Sequence, residues 1–467
     1  MGIVSLRDTC RHLELAGRRK LAARWQPAPI AERLLRGAFW SVAGTMLSRA
    51  LSLAAAILVA RTLGKVVYGE LGIIQSTVGM FGTLAGFGMG TTSSKFVAEF
   101  RDKDPQRAGR IIALSSVVSW AISIGLGAVL ALLAPALCLH TLAAPHLAPG
   151  LRDSAALLIL SGINGAQLGV LAGLEAFKTI ARVSVLTGLL SFPLIVGGAL
   201  LFGLTGVIGG MAAAQTSGCL LNLRALRREA RRYRIPLSYS SCVSELPILW
   251  RFSVPAVLAE LLISSINWCA AAMLVRQPNG YSEMGSFSAA NQWFNMLMWL
   301  PFMLNSVMLP VLSERLGAND KGNVAGLLKL TMKMNAAIVL PCVVVGSLLS
   351  PYIMMSYGRG FAAAWPTLVA VLVTAGLLSV ELPVGQLIAA SGRMWLGFSS
   401  NIGWSLVFLT ATAVLLRLEW GSLGLAAGRL AAYGAHTVFS ISYAVFFARS
   451  PRATETSTPA LSLRAFR

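Results

Sequence analysis

The feature that most constrains this chain is an apolar stretch at residues 37–60 with one charge near its midpoint. Its 24 residues, at about 1.5 Å per residue, are long enough to cross the roughly 30 Å hydrocarbon core of a bilayer. The charge is Arg49, and a cation at the centre of a spanning helix costs about 2.5–3.5 kcal/mol on insertion scales. The stretch therefore predicts a transmembrane helix whose arginine has a functional or a structural role.

Polar residues around the arginine indicate which way it points. Ser41, Thr45, Ser48, Arg49 and Ser52 share one helix face by their spacing. The stripe predicts that Thr45, Ser48 and Arg49 line a wet, anion-binding chamber. The alternative is an arginine that only ties two helices together.

The whole composition is that of an integral membrane protein. Of the 467 residues, 56% are hydrophobic and 12% charged, against roughly 25% charged in soluble domains. The net charge of +21 would suggest nucleic acid in a soluble protein, but here the basic residues lie mainly in loops and tails, so no nucleic-acid partner is expected. Six scattered cysteines predict neither a disulfide framework nor a metal site.

Twelve apolar spans follow one another along the chain, at about 37–60, 71–93, 111–134, 154–174, 183–203, 204–223, 252–275, 285–312, 334–355, 365–390, 398–417 and 424–447. With the N-terminus in the cytoplasm, the inner loops carry 19 Lys and Arg and the outer loops 6. This bias predicts that both termini are cytoplasmic.

A basic loop at 224–251 separates two sets of six spans that resemble each other. Tyr68-Gly-Glu-Leu-Gly72 recurs as Tyr281-Ser-Glu-Met-Gly285, and Pro135 matches Pro351 at a similar offset. We therefore predict an all-α membrane protein, with twelve transmembrane helices in two six-helix lobes related by a pseudo-two-fold axis along the membrane normal. The predicted parts are a basic cytoplasmic segment (1–36), the N-terminal lobe (37–223), the linker (224–251), the C-terminal lobe (252–447) and a cytoplasmic tail (448–467).

Further candidate substrate ligands lie in the second half. Span eight has Ser288, Asn291, Gln292 and Asn295 on one face, and span seven has Asn267. These amides predict a cavity that hydrogen-bonds sugars, or otherwise bonds between helices. Arg429 in span twelve is a further candidate, or a side chain that snorkels to the interface.

Two carboxylates are candidates for ion coupling or gating. Glu260 lies on span seven, near the position equivalent to Arg49, so it predicts either a salt bridge between the lobes or a separate protonation site. Glu381 precedes Pro383 in span ten, where burial favours protonation. The alternative for Glu381 is a pair with Arg429. His436 is predicted to be a packing residue rather than a proton relay.

Enzyme signatures are missing from the sequence. It has no Walker A motif, no HExxH and no nucleophile elbow with triad partners. We therefore expect no catalytic activity and no cofactor.

Two motifs resemble a known family. ARTLG at 60–64 is followed by Tyr68-Gly69, and GFGMGTT at 86–92 by KFVAEFR at 95–101. This pattern resembles the polysaccharide-transport branch, the Wzx-type oligosaccharide flippases, of the multidrug/oligosaccharidyl-lipid/polysaccharide exporter superfamily. The resemblance implies a MATE-like fold in the bacterial inner membrane and an undecaprenyl-diphosphate-linked oligosaccharide as substrate, for O-antigen, capsule or exopolysaccharide assembly. It also implies cationic cavity residues, which Arg49 matches, and a polysaccharide polymerase and chain-length regulator as partners.

Two other functions remain open from the sequence. A drug or cation antiporter of the same superfamily is disfavoured by Arg49 but consistent with Glu260 and Glu381. A membrane polymerase or ligase is disfavoured because the longest outer loop, about 135–153, is too short for a catalytic domain.

Overall fold

The computed structural model describes residues 29–237, 239, 242–246, 254–306, 308–317 and 321–449. Its α-helices are α1 Pro29–Gly86, α2 Met89–Phe100, α3 Pro105–Ala136, α4 Ala148–Asp153, α5 Ala155–Gly173, α6 Phe177–Arg232, α7 Val254–Val275, α8 Gly280–Ser306, α9 Met308–Gly317, α10 Lys321–Leu348, α11 Ser350–Ser356, α12 Trp365–Ala390, α13 Met394–Arg417 and α14 Gly421–Arg449. Residues 1–28 of the predicted N-terminal segment, parts of the linker and residues 450–467 of the tail lie outside the described residues.

Two of the long helices each make two crossings. The backbone breaks at Gly64 in α1 (φ 77°) and at Gly203 in α6 (φ 60°), conformations that glycine adopts without steric cost. We call the resulting halves α1a (29–63), α1b (65–86), α6a (177–202) and α6b (204–232). At Gly203 the break turns the chain back on itself, so that Gly198 faces Gly206. Each break takes the place of a loop between two crossings.

Twelve crossings therefore lie within the described part of the chain. Eight helical stretches are long and apolar enough to span a membrane, and two of them contain a break and cross twice. The remaining two crossings are α7, and α8, which carries the amide stripe that lowers its hydropathy. The predicted all-helical, twelve-helix fold is confirmed.

Several predicted boundaries differ from the structure. The predicted linker starts at residue 224, but α6b continues as helix to Arg232 because Ala225, Leu226 and Ala230 pack against the N-terminal lobe. Span two ends at Gly86 rather than near 93, since Phe87 and Gly88 take positive φ values.

A pseudo-two-fold relationship appears in the seam between α1b and α8. A Cβ added to Gly69 would meet the carbonyl oxygen of Tyr281, and one added to Gly285 would meet the carbonyl oxygen of Lys65. Gly69 and Gly285 are 216 residues apart in the chain, and so are Lys65 and Tyr281. Replacing each residue of the first contact by its equivalent in the other lobe therefore gives the second contact. Gly72 faces Ser288, also 216 residues away, as a contact on the axis itself requires. The predicted repeat of the two lobes is thus confirmed. Equivalent residues of the lobes are separated by the same distance in the chain as Pro135 and Pro351, and not by the shorter distance between Tyr68 and Tyr281.

The buried core is shared by the lobes at one end and divided at the other. The largest apolar cluster contains residues of both lobes, including Tyr68, Ile74 and Met284. Toward the end that carries Arg101, Arg107 and Arg110, which we call the basic end, the described core splits into a cluster of the N-terminal lobe around Ile112 and one of the C-terminal lobe around Leu312. Among the described residues, the lobes therefore share one core at the opposite end and have separate cores toward the basic end.

Candidate functional site

Arg49 lines a cavity between the lobes, which we call the Arg49 cavity. Its volume is about 330 Å³, and α1a, α6a and α8 form its walls. The exposed guanidinium carbon lies 5.5 Å from the ring centroid of Trp299, within the range of a cation–π contact. Thr45 and Ser48 line the same cavity, and Ser48 Oγ donates to the Ser184 carbonyl at 3.1 Å. The polar stripe of α1a thus faces the space between the lobes.

A second cavity, of about 350 Å³, surrounds Arg429 and is called the Arg429 cavity. Its walls include Asn267 on α7, Ser288 and Asn291 on α8, and Phe408 on α13. Gln292 and Asn295 line both this cavity and the Arg49 cavity. All four polar residues of the α8 stripe therefore face cavities, and the two cavities meet at two amide side chains.

Arg429 is held firmly rather than reaching for the membrane surface. It is 8% exposed. Its Nη1 donates to Asn291 Oδ1 at 2.9 Å, and its guanidinium carbon lies 4.0 Å from the Phe294 ring centroid. Nε has no hydrogen-bond partner. The predicted alternative of snorkelling is therefore wrong, because the amide of α8 and the aromatic ring fix the guanidinium inside the lobe interface.

Both cavities are electropositive. No carboxylate lines either of them among the described residues, and neither arginine has an ion pair within 4.0 Å in the described part of the chain. Two guanidinium groups with donors to spare, flanked by amides, have the chemistry of an anion site.

Glu260 lies in a third and larger cavity. This N-lobe chamber measures about 740 Å³ and is walled mainly by α1b, α5 and α6b, with Glu260 exposed on its α7 side. Gln75 belongs to both the chamber and the Arg429 cavity. Glu260 and Arg49 thus line different cavities, so the predicted bridge between them is not formed in this conformation.

Glu381 is buried inside the C-terminal lobe, away from the three cavities. It is 3% exposed. Its Oε2 accepts a hydrogen bond from Thr437 Oγ1 at 2.9 Å. The same oxygen lies 3.1 Å from His436 Nδ1, but the angle between these two groups does not allow a hydrogen bond. Its predicted pairing with Arg429 is wrong, since Arg429 bonds Asn291 instead. His436, interpreted from sequence as a packing residue, contacts the carboxylate and, through Nε2, Ser400 Oγ at 3.4 Å.

Sequence reasoning missed two residues that line these cavities and the aromatic partner of Arg49. Gln75 on α1b and Gln215 on α6b line the N-lobe chamber, and each is an isolated amide in an apolar span, which was a usable signal. Trp299 carried no comparable signal, because one tryptophan on a spanning helix is equally typical of a lipid-facing position.

The end opposite the basic end is closed by contacts between the lobes. Lys65 Nζ lies 3.3 Å from Glu283 Oε1, and Arg61 Nε donates to the Ser356 carbonyl at 2.5 Å. A donor of the C-terminal lobe also bonds the N-terminal lobe, since Tyr281 Oη donates to the Leu142 carbonyl at 2.8 Å. Nearer the middle, Trp268 Nε1 donates to Thr77 Oγ1 at 2.9 Å. The cavities are therefore sealed from this end.

The fold is that of known transporters. It matches the inward-facing conformation of a multidrug resistance MATE family transporter of the MOP superfamily with a TM-score of 0.68 and 15% identity, over 88% of this chain and 98% of that one. It also matches a MOP superfamily transporter from Pyrococcus furiosus, described as having a binding pocket of reverse polarity, with a TM-score of 0.62 and 16% identity over 89% and 96% of the two chains. The chain therefore has a MATE-like fold of two six-helix lobes.

The chain belongs to the polysaccharide biosynthesis protein family, which it matches over residues 34–315. It is 23% identical, over 71% of its own length and 76% of the relative's, to the EPS I polysaccharide export inner membrane protein EpsE of Ralstonia nicotianae. A second EpsE, from Ralstonia solanacearum, is 25% identical over 40% of this chain and 43% of that one. The chain is therefore a multi-pass helical membrane protein of the polysaccharide biosynthesis protein family, with a MATE-like fold.

Proposed function

We propose that the chain flips an undecaprenyl-diphosphate-linked oligosaccharide repeat unit from the cytoplasmic to the outer leaflet of the inner membrane. The observation that carries the proposal is the pair of guanidinium groups, Arg49 and Arg429, in adjoining cavities that no described carboxylate lines. A diphosphate cannot cross hydrocarbon alone, because burying an uncompensated charge costs tens of kcal/mol in the Born limit. Arginine compensates that charge with directed, charge-assisted hydrogen bonds.

The amides beside the arginines suit the rest of the headgroup. Gln292 and Asn295 lie where the two cavities meet, and Asn267 lies in the Arg429 cavity. Amides donate and accept hydrogen bonds, as sugar hydroxyls require. Thr45 and Ser48 add hydroxyls on the α1a side. The polyprenyl tail stays in the bilayer throughout.

The conformation fits the loading step of alternating access. The seam at Gly69 and Gly285 seals the end opposite the basic end, while the cores of the two lobes are separate at the basic end. The excess of Lys and Arg at the basic end supports a cytoplasmic position for that end and for both termini. Rocking of the lobes would then expose the headgroup to the outer side.

Glu381 and His436 are the proposed coupling groups. Their carboxylate and imidazole lie 3.1 Å apart inside the C-terminal lobe, close to the proline of α12 at position 383. Neither residue lines any of the three cavities, so the pair is separate from the substrate site. A polysaccharide polymerase and a chain-length regulator, which would receive the flipped unit, are the proposed protein partners.

Flipping is tested with proteoliposomes that contain the purified chain and undecaprenyl-diphosphate oligosaccharide in the inner leaflet. We expect the glycan to become accessible to an external lectin in the presence of the chain and not with Arg49→Gln, at equal reconstitution. Absence of flipping by the wild-type chain, together with uptake of a fluorescent organic cation, would overturn the proposal in favour of the drug or cation antiporter.

A further inference from the structure

The three cavities adjoin one another and differ in the charge of their lining. Arg49 and Arg429 lie in the two smaller cavities, of about 330 and 350 Å³, while the larger N-lobe chamber contains Glu260 and, among its described lining residues, no cation. Gln292 and Asn295 connect the first two cavities, and Gln75 connects the Arg429 cavity to the chamber. A headgroup that occupies these adjoining cavities therefore meets arginines on one side and a carboxylate on the other.

We propose that the N-lobe chamber is the saccharide subsite, which holds the first sugars of the glycan while the diphosphate lies between the arginines. This inference rests on the proposed flipping of a lipid-linked oligosaccharide. The carboxylate of Glu260 repels a diphosphate, so the anion is confined to the arginine side. An uncharged sugar meets no such barrier, and its hydroxyls donate to carboxylate and amide oxygens.

The polar groups of the chamber come from both lobes. Gln75, Gln215 and Ser161 belong to the N-terminal lobe, and Glu260 faces them from α7 of the C-terminal lobe. At mid-height Thr83 Oγ1 and Ser264 Oγ lie 3.0 Å apart across the same interface. A sugar in the chamber would therefore contact both lobes, as a substrate that moves with their rocking must.

Missing side chains create the room for the glycan. A Cβ added to Gly79 or Gly86 on α1b, or to Gly165 on α5, would have no atom within 4 Å, and all three glycines line the chamber. At Gly79 and Gly165 the helical backbone accepts an L side chain, because neither glycine has positive φ. Their substitution can therefore fill the chamber without forcing the helices apart.

A few polar side chains in the mostly apolar lining of the chamber oppose entry of the polyprenyl tail. Glu260 and two glutamines would lose hydration against an alkyl chain without gaining partners, which is costly. The tail therefore stays outside, and the chamber is available for the sugars.

The test compares two ligands on purified protein in nanodiscs. One is undecaprenyl diphosphate, and the other is the pool of undecaprenyl-diphosphate oligosaccharide that accumulates in the producing bacterium when the chain is depleted. We expect the wild-type chain to bind the oligosaccharide-bearing lipid at least tenfold more tightly than undecaprenyl diphosphate. Gly79→Leu and, on the facing wall, Gly165→Leu should abolish that difference and leave the affinity for undecaprenyl diphosphate unchanged.

The matched control is Gly125→Leu. Gly125 lies on α3, a Cβ there would also have no atom within 4 Å, and it does not line the chamber. An undiminished preference for the glycan in both chamber variants would overturn the saccharide subsite, as would equal affinity of the wild-type chain for the two lipids. If the wild-type chain binds neither lipid, or if no lipid-linked oligosaccharide accumulates on depletion, the proposed function itself fails.

Discussion

Lys65 and Glu283 form an ion pair of 3.3 Å that joins α1b of one lobe to α8 of the other. The same carboxylate accepts two further hydrogen bonds at the start of α14, from the Ser422 amide at 2.9 Å and from Ser422 Oγ at 2.5 Å. Three crossings from both lobes thus converge on one glutamate. Any conformation that opens this end must break the contact to Lys65.

We predict that Lys65→Ala shifts the protein toward opening at the end opposite the basic end. Both side chains of the pair are partly exposed, at 20% and 29%, so the pair stabilises closure by less than about 1 kcal/mol, or at most roughly fivefold in the closed-to-open ratio. Ser76 lines the Arg429 cavity. The measurement is therefore the labelling rate of Ser76→Cys, in a background without other cysteines, by a membrane-impermeant maleimide added from that side. Lys65→Arg is the control. An unchanged labelling rate in Lys65→Ala would contradict the role of the pair.

Arg49→Gln and Arg429→Gln should each weaken binding of undecaprenyl diphosphate. A hydrogen bond to a charged group contributes about 1.5–3 kcal/mol, so we expect a loss of roughly 10- to 150-fold in affinity for each variant. Ser405→Ala is the matched control, because Ser405 is buried on α13 and bonds only its own helix, through the Asn401 carbonyl. If both arginine variants bind as tightly as the wild-type chain, the anion site lies elsewhere.

The glycine seam predicts a conformational effect of larger side chains. Gly69→Val and Gly285→Val place methyl groups against the backbone of the partner helix, where overpacking costs about 1–3 kcal/mol. Closure at this end should weaken, and glycan export should fall while the protein still inserts. Gly209→Val tests specificity, since a Cβ at Gly209 would have no neighbour within 4 Å. Equal export by all three variants would show that the close approach is dispensable.

Glu381→Gln should uncouple transport from an imposed proton gradient. The substitution keeps the shape of the side chain and an acceptor for Thr437 but removes the charge that faces His436. We expect flipping in proteoliposomes to lose its acceleration by a pH gradient while the affinity for undecaprenyl diphosphate is retained, because Glu381 lines none of the described cavities. A gradient response like that of the wild-type chain would exclude Glu381 from coupling.

Glu245 should stabilise the packing of the linker on the N-terminal lobe. Its side chain, 7% exposed, lies 3.2 Å from Arg107 Nε and 3.2 Å from Arg110 Nη2. Both arginines are partly exposed, so we expect Glu245→Ala to lower the free energy of unfolding by about 1–2 kcal/mol. Thermal unfolding in detergent measures the change, with Asp102→Ala, an exposed partner of Arg101, as the control. A melting temperature as high as that of the wild type would contradict the prediction.

The sequence was sufficient where a single helix decides the outcome. The direction of the α1a stripe follows from helical periodicity alone, and so does that of the α8 amides. Both stripes line cavities because polar side chains on a spanning helix are costly anywhere else. The number of crossings was predictable for the same reason, since hydrocarbon thickness fixes the length of each span.

The sequence was insufficient where two distant helices decide the outcome. Arg429 could have met Glu381 or Asn291, and only the packing of α14 against α8 selects the amide. Likewise, Glu260 and Arg49 occupy similar places in the repeat but line separate cavities. The tyrosine motifs predicted a repeat offset that is three residues too short. A shift of three residues is about one helical turn, so it leaves the predicted helix face unchanged but pairs the wrong residues across the lobes.

The exchange of Gly69 with Gly285 about the axis also bears on the origin of the chain. The two lobes contact each other through equivalent surfaces, as the subunits of a symmetric dimer do in an isologous interface. A single ancestral bundle of six helices would already possess both sides of this joint. Two copies joined in one chain can differ where symmetric subunits cannot, and here one lobe carries the glycine-walled N-lobe chamber and the other the buried guanidinium of Arg429.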